Sequence, residues 1–103
     1  MGLNKPEKQV RRIERYVLRC ELPELAELSV KYLARIFEYD PNYLSRIYKS
    51  TRSQKLKSFI NRRRFDMVND LMTARSRLST SEISHLVGFE DSGYFRRLVR
   101  KRV

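Results

Sequence analysis

Fifty residues separate two similar stretches of this chain. Leu28-Ser29 is followed by Leu33-Ala34, and Leu78-Ser79 by Ile83-Ser84. Further along, Leu44, Arg46, Ile47 and Lys49 recur as Phe95, Arg97, Leu98 and Arg100, now offset by 51 residues. The entry segments share one register, and the second copy carries one extra residue in its turn. Repetition on this scale constrains the fold more than any single segment, because each copy is a unit that must bury its apolar face. Each half holds roughly 40–50 residues, which is marginal for independent folding. The two copies are therefore expected to share a scaffold.

The spacing of apolar residues predicts an all-α chain of six helices. From Pro6 to about Arg19, Val10, Ile13, Val17 and Cys20 fall on one helical face, and Pro6 suits a first turn. Glu21 to Glu27 breaks that pattern around Pro23, with Leu25 packing the connection onto the core. Ser29 can cap a helix from Val30 to about Phe37 that buries Leu33, Ala34 and Phe37. Asp40-Pro41 is a second start, leading to about Ser50, with Leu44, Ile47 and Tyr48 inward. Ser53 is read as the cap of a long helix from Gln54 to about Thr73. Its apolar side is Leu56, Ile60, Met67, Val68, Leu71 and Met72, and its middle is the polar belt Asn61-Arg62-Arg63-Arg64. Ala74 to Leu78 is a polar link. Ser79-Thr80-Ser81-Glu82 fits a capping box for a short helix to about Val87, ended by Gly88. Glu90-Asp91 opens the last helix, Ser92 to about Arg102. Each copy is thus a helix-turn-helix unit: a first subdomain at 6–53, a linker helix at 54–73 and a second subdomain at 74–103.

The formal net charge is +11, from 23 Lys plus Arg against 12 Asp plus Glu. That balance points to a polyanionic partner, nucleic acid ahead of an acidic membrane; the bland alternative is a merely basic soluble protein. No apolar run reaches transmembrane length and no signal-peptide region opens the chain, so cytoplasm is expected and a membrane is not. Pro6 stands where a myristoylation site wants Ser or Thr. Cys20 and His85 are each the sole residue of their type, which leaves no disulfide and no Cys/His zinc set. No cofactor or metal is expected. Glu7, Glu14, Glu21 and Glu24 have no evident acid–base partners. Ser84 and His85 are adjacent and do not face each other on a helix. No enzyme constellation emerges.

The stretch from Leu78 to Arg100, LSTSEISHLVGFEDSGYFRRLVR, resembles the second reader of the AraC/XylS family of bacterial transcription regulators. Ile83-Ser84, Val87-Gly88-Phe89, Asp91, Tyr94-Phe95 and Arg97 carry that resemblance. Upstream, Leu33-Ala34, Asp40-Pro41, Tyr43-Leu44-Ser45-Arg46, Tyr48-Lys49 and Arg64-Phe65 match the first reader and the joining helix. The resemblance covers about residues 10 to 103. It implies a seven-helix domain whose two reading helices enter successive major-groove segments on one face of double-stranded DNA. The chain departs from the family at Ser53, where Gly is usual before the long helix, and at Thr80, Ser84, Gly93 and Val99. It also stops at Val103, before the terminal helix, as either an excised fragment or a diverged member would.

By that carry-over, Asn42, Ser45 and Arg46 hold groove-reading positions in the first unit, and Ser92, Gly93, Arg96 and Arg97 hold them in the second. Arg can donate two hydrogen bonds to guanine and Asn can pair with adenine, which favours Arg46 and Asn42 as base readers. Arg96 and Arg97 point about 100° apart, so they do not read the same base edge. Lys31, Lys49, Arg62, Arg63, Arg100, Lys101 and Arg102 are phosphate candidates, with Ser29 and Ser79 adding helix N-termini. The bland alternatives are phosphate or solvent for Arg46, a solvated end for the basic tail and a scaffold brace to a carboxylate for Arg64. The leading expectation is sequence-specific duplex DNA binding for transcription control, with RNA polymerase as a further partner. The competing ones are a protein-interaction module that has lost DNA readout, and nonspecific nucleic-acid compaction. Any sensory domain would lie outside these residues.

Overall fold

Asn4 opens the first helix, its side-chain carbonyl accepting the Glu7 N–H at 2.9 Å. In this computed structural model, which describes residues 4–73 and 79–89, α1 runs Lys5–Arg19 with Pro6 in its first turn. Cys20 turns extended and ends it. A cis Leu22–Pro23 bond leads into a one-turn helix, α2 (Glu24–Glu27). Next come α3 (Val30–Phe37), α4 (Pro41–Arg52), α5 (Leu56–Thr73) and α6 (Thr80–Leu86). The described residues are thus all-helical with six helices, but not the same six. α2 was not anticipated, and the helix expected at Ser92 to Arg102 lies outside the described residues.

Two apolar clusters organise these helices. The larger joins Val10, Ile13 and Val17 of α1 to Leu33 and Ala34 of α3, Leu44, Ile47 and Tyr48 of α4, and Leu56 and Ile60 of α5. Leu25 is fully buried there, as the connection required. Each such large side chain contributes roughly 1.5–3 kcal/mol on burial. The smaller cluster joins Phe65 and Val68 of α5 to Ile83, Val87 and Phe89. Leu22 and Met67 pack against both clusters and so link them. Met72, expected on the apolar side of α5, is instead half exposed.

The polar belt of α5 lies where the helix passes from one cluster to the other. Arg64 reaches back and donates to the carbonyls of Leu25, Ala26 and Leu28 at 3.2, 3.2 and 2.6 Å. Of these carbonyls only that of Leu25 also accepts a main-chain N–H among the described residues, from Leu28 at 3.4 Å, and a guanidinium with five donors can satisfy several acceptors at once. The brace expected of Arg64 therefore reaches main-chain oxygens of α2 and the turn after it. Arg63 donates to the Cys20 carbonyl at 3.0 Å, at the end of α1.

Ser53 does not cap α5. It sits at φ 58°, ending α4 in the left-handed region, with its N–H on the Lys49 carbonyl. This is the turn where the related family favours Gly, and a left-handed residue explains that preference.

Candidate nucleic-acid interface

The first helix-turn-helix is α3, its turn and α4. Ser29 caps α3 by accepting the Tyr32 N–H at 3.0 Å. Glu38 then adopts φ 59°, and two bonds close the turn: Glu38 N–H to the Arg35 carbonyl and Tyr39 N–H to the Ala34 carbonyl. That pair is a Schellman motif. Asp40 starts α4 by accepting from Asn42 and Tyr43 N–H groups. The second unit repeats this as far as it is described. Ser79 accepts the Glu82 N–H, Gly88 takes φ 98°, and Gly88 and Phe89 N–H groups donate to the His85 and Ser84 carbonyls. Ile83 and Ser84 are buried as Leu33 and Ala34 are. The register of fifty residues is therefore structural through Phe89.

α4 is seated from behind by α1. Its buried side, Leu44, Ile47 and Tyr48, meets Val10, Ile13 and Val17 within one cluster. Polar contacts flank that seam. Tyr43 donates to Gln9 at 3.0 Å, and Tyr48 donates to Glu14 at 3.1 Å. Arg52, at the end of α4, bonds both Glu14 oxygens and also pairs with Glu7 at 3.0 Å. Burial works against charge on Glu7, yet its bonds to Arg11 and Arg52 hold the carboxyl below its usual range. Bonding to Glu14 raises Arg52. Burial, then the Glu14 charge, pushes the Tyr48 phenol up. These ionic groups, which the sequence left without a task, fix the orientation of α4.

That orientation exposes Asn42, Ser45, Arg46 and Lys49 in one row. Positions i, i+3, i+4 and i+7 share a helical face. The structure thus brings together the three first-unit reading candidates and one phosphate candidate. Arg46 lies with its guanidinium 5.9 Å from the Tyr43 ring centroid. Arg46, Lys49, Ser50 and Ser53 line a shallow hollow along this face. Ser50 was missed as a neighbour of this row, though helical spacing from Arg46 would have found it; Tyr43, which the sequence leaves open between DNA contact and a partly buried ring, is partly buried with its hydroxyl on Gln9.

The phosphate candidates separate. Lys31 and Arg62 are exposed. The Ser29 hydroxyl accepts the cap bond through oxygen and keeps its hydrogen available to donate. The Ser79 hydroxyl instead donates to the Glu82 carboxylate at 3.2 Å, which occupies its proton and sets a negative charge beside it. Arg63 is half-buried and turned inward to Cys20. Ser92, Gly93, Arg96, Arg97, Arg100, Lys101 and Arg102 lie outside the described residues. Among the described residues no group of acidic, Cys or His side chains is placed to hold a metal ion, and no helix is long and apolar enough to cross a membrane.

Comparison with known proteins bears on this geometry. Residues 33–103 match the helix-turn-helix domain family of AraC type. Over 74 residues the chain is 34% identical to YijO of Escherichia coli strain K12, described as an uncharacterized HTH-type transcriptional regulator. The matched stretch is 72% of this chain and 26% of that protein, so the chain spans about a quarter of that relative's length. No solved structure matches. The chain belongs to the AraC-type helix-turn-helix family, a class of DNA-binding domains in transcription regulation and not a class of enzymes.

Proposed function

We propose that this chain binds double-stranded DNA at specific sequences to regulate transcription, with two reading helices entering successive major-groove segments. The observation that carries this is the row Asn42, Ser45, Arg46 and Lys49 on α4, opposite a fully packed seam and held in place by Arg52, Glu7 and Glu14. A reading helix needs long hydrogen-bonding side chains on a face whose direction does not wander. In this reading Arg46 bonds a guanine, Asn42 an adenine, and Ser45 an adjoining edge. Lys49, Lys31, Arg62 and the α3 N-terminus at Ser29 neutralise phosphates. The second unit supplies Ser92, Arg96 and Arg97 to bases and Arg100 and Lys101 to the backbone, while Ser79 is held by Glu82. α5 spans about 27 Å at 1.5 Å per residue, against about 34–36 Å for one turn of duplex. Contact with RNA polymerase and a cytoplasmic setting belong to the same reading.

Selection of bound duplexes from a randomised pool tests it. The expected result is a consensus of two unlike blocks about one helical turn apart. Arg46→Ala should relax one block and Arg97→Ala the other. If no selected duplex outcompetes random DNA at moderate salt, specific readout is excluded.

A further inference from the structure

α1 carries a second cationic surface that DNA reading leaves unused. Its buried seam is Val10, Ile13 and Val17. Lys8, Arg12, Arg15 and Arg19 are all exposed, and at 100° per residue they project to the opposite side of the helix. Because α1 meets α4 through the buried seam, this ridge faces away from α4 and its reading row. It is roughly 16 Å long. Arg12, Arg15 and Arg19 rim an open hollow of about 400 Å³ walled by the rings of Tyr16 and Phe37. The Arg12 guanidinium stands 5.4 Å from the Phe37 ring centroid, which fixes one cation at the mouth. Glu24, the carboxylate on this lining, is committed to the hydroxyls of Tyr16 and Tyr32. The ion pairs among the described residues engage Arg11 and Arg52, not the ridge. Leu18, 57% exposed, flanks the row.

We propose that this ridge and hollow dock an acidic, amphipathic segment of a partner protein while α4 occupies DNA. The aromatic walls decide the class of partner. A duplex offers phosphates to the arginines but has no side chain to seat against the edge-to-face Tyr16–Phe37 pair. A segment with carboxylates around a Leu or Phe offers both. Exposed guanidinium–carboxylate pairs each contribute little, so the seated apolar residue supplies affinity and the arginine row supplies steering and orientation. Only the simultaneity with DNA rests on the proposed function; docking itself is measured without DNA.

Fluorescence anisotropy of a labelled synthetic peptide, Glu- and Asp-rich around a central Leu-Phe pair, tests the assignment on the whole chain. A second peptide replaces the pair with Ser-Ser. The chain should bind the first about tenfold more tightly than the second. The triple variant Arg12→Gln, Arg15→Gln, Arg19→Gln should lose about tenfold, while the equal-charge variant Arg46→Gln, Lys49→Gln, Lys57→Gln stays within about twofold. A milder pair, Lys8→Gln with Arg15→Gln, leaves the Arg12–Phe37 contact intact and should still lose about threefold. Thermal melts establish that each variant is folded. Equal losses in the two triple variants would reduce the effect to bulk charge and overturn the proposal. So would equal affinity for the two peptides. So would ridge-dependent capture of a second duplex by protein already saturated with DNA, with no peptide binding.

Discussion

Glu38, Ser53 and Gly88 do the same work with different side chains. All three take positive φ at the end of a helix. An L residue in the left-handed region costs about 1–2 kcal/mol, which Gly avoids at the expense of a freer unfolded chain. Glu38→Gly and Ser53→Gly should therefore each stabilise the fold by about 0.5–1 kcal/mol, a rise of several degrees in melting temperature for a domain of this size. Gly88→Ala should do the reverse. Beyond its φ of 98°, a Cβ there would lie 2.7 Å from the Ala26 carbonyl oxygen. The expected loss is about 2 kcal/mol or more, read in the same melts. Glu24 makes a different residue-scale prediction. Bonds from Tyr16 and Tyr32 hold its carboxyl below the ordinary 4.5, against the opposing pull of burial. A carboxylate depressed by folding stabilises above its unfolded pKa, and that stabilisation is lost as pH falls through the folded one. The melting temperature should hold down to about pH 5 and drop below it, and Glu24→Gln should flatten part of that acid limb.

At the scale of elements, α2 is the piece that depends most on others. Four residues make one turn, too few for helical periodicity to register and too few to be stable alone. Pro23 and the break after Cys20 read correctly as an interruption, but nothing local to Glu24–Glu27 says that α5 will reach across to hold it. Arg64→Ala should cost about 2–3 kcal/mol, because it strands carbonyls that a charged donor had satisfied. Arg64→Lys should recover only part of this, since a point ammonium cannot span three acceptors. Denaturant titrations of the three proteins would show the order. The same logic separates what the sequence made legible from what it hid. Helix faces, the caps at Ser29, Asp40 and Ser79, and the exposed row Asn42, Ser45, Arg46 and Lys49 on α4 follow from spacing and side-chain chemistry within a few residues. Ser53 misleads because a hydroxyl before a helical run looks like a cap. α4 runs two residues beyond Ser50, ending at Arg52, where Glu7 and Glu14 hold the guanidinium. The basic belt on α5 looks like a phosphate surface until its partners, nearly forty residues away in sequence, are in place.

For the whole molecule, charge and readout are separable quantities. Lys49→Ala should weaken binding to every duplex alike and lower the salt dependence by about one unit of slope. Arg46→Ala should instead cost about 1–3 kcal/mol at one position of the selected site while binding to random DNA changes less. Competition titrations over a range of salt would distinguish these behaviours.

Leu22 and Met67 belong to both apolar clusters, and Gly88 rests on the Ala26 carbonyl. A piece cut after Thr73 would keep the first helix-turn-helix whole and still be left with a greasy end, Phe65 and Val68 stripped of Ile83, Val87 and Phe89. Such a fragment should self-associate rather than persist as a tidy half-sized reader, so grafting new specificity onto this scaffold is a matter of repainting α4 in place and not of swapping halves.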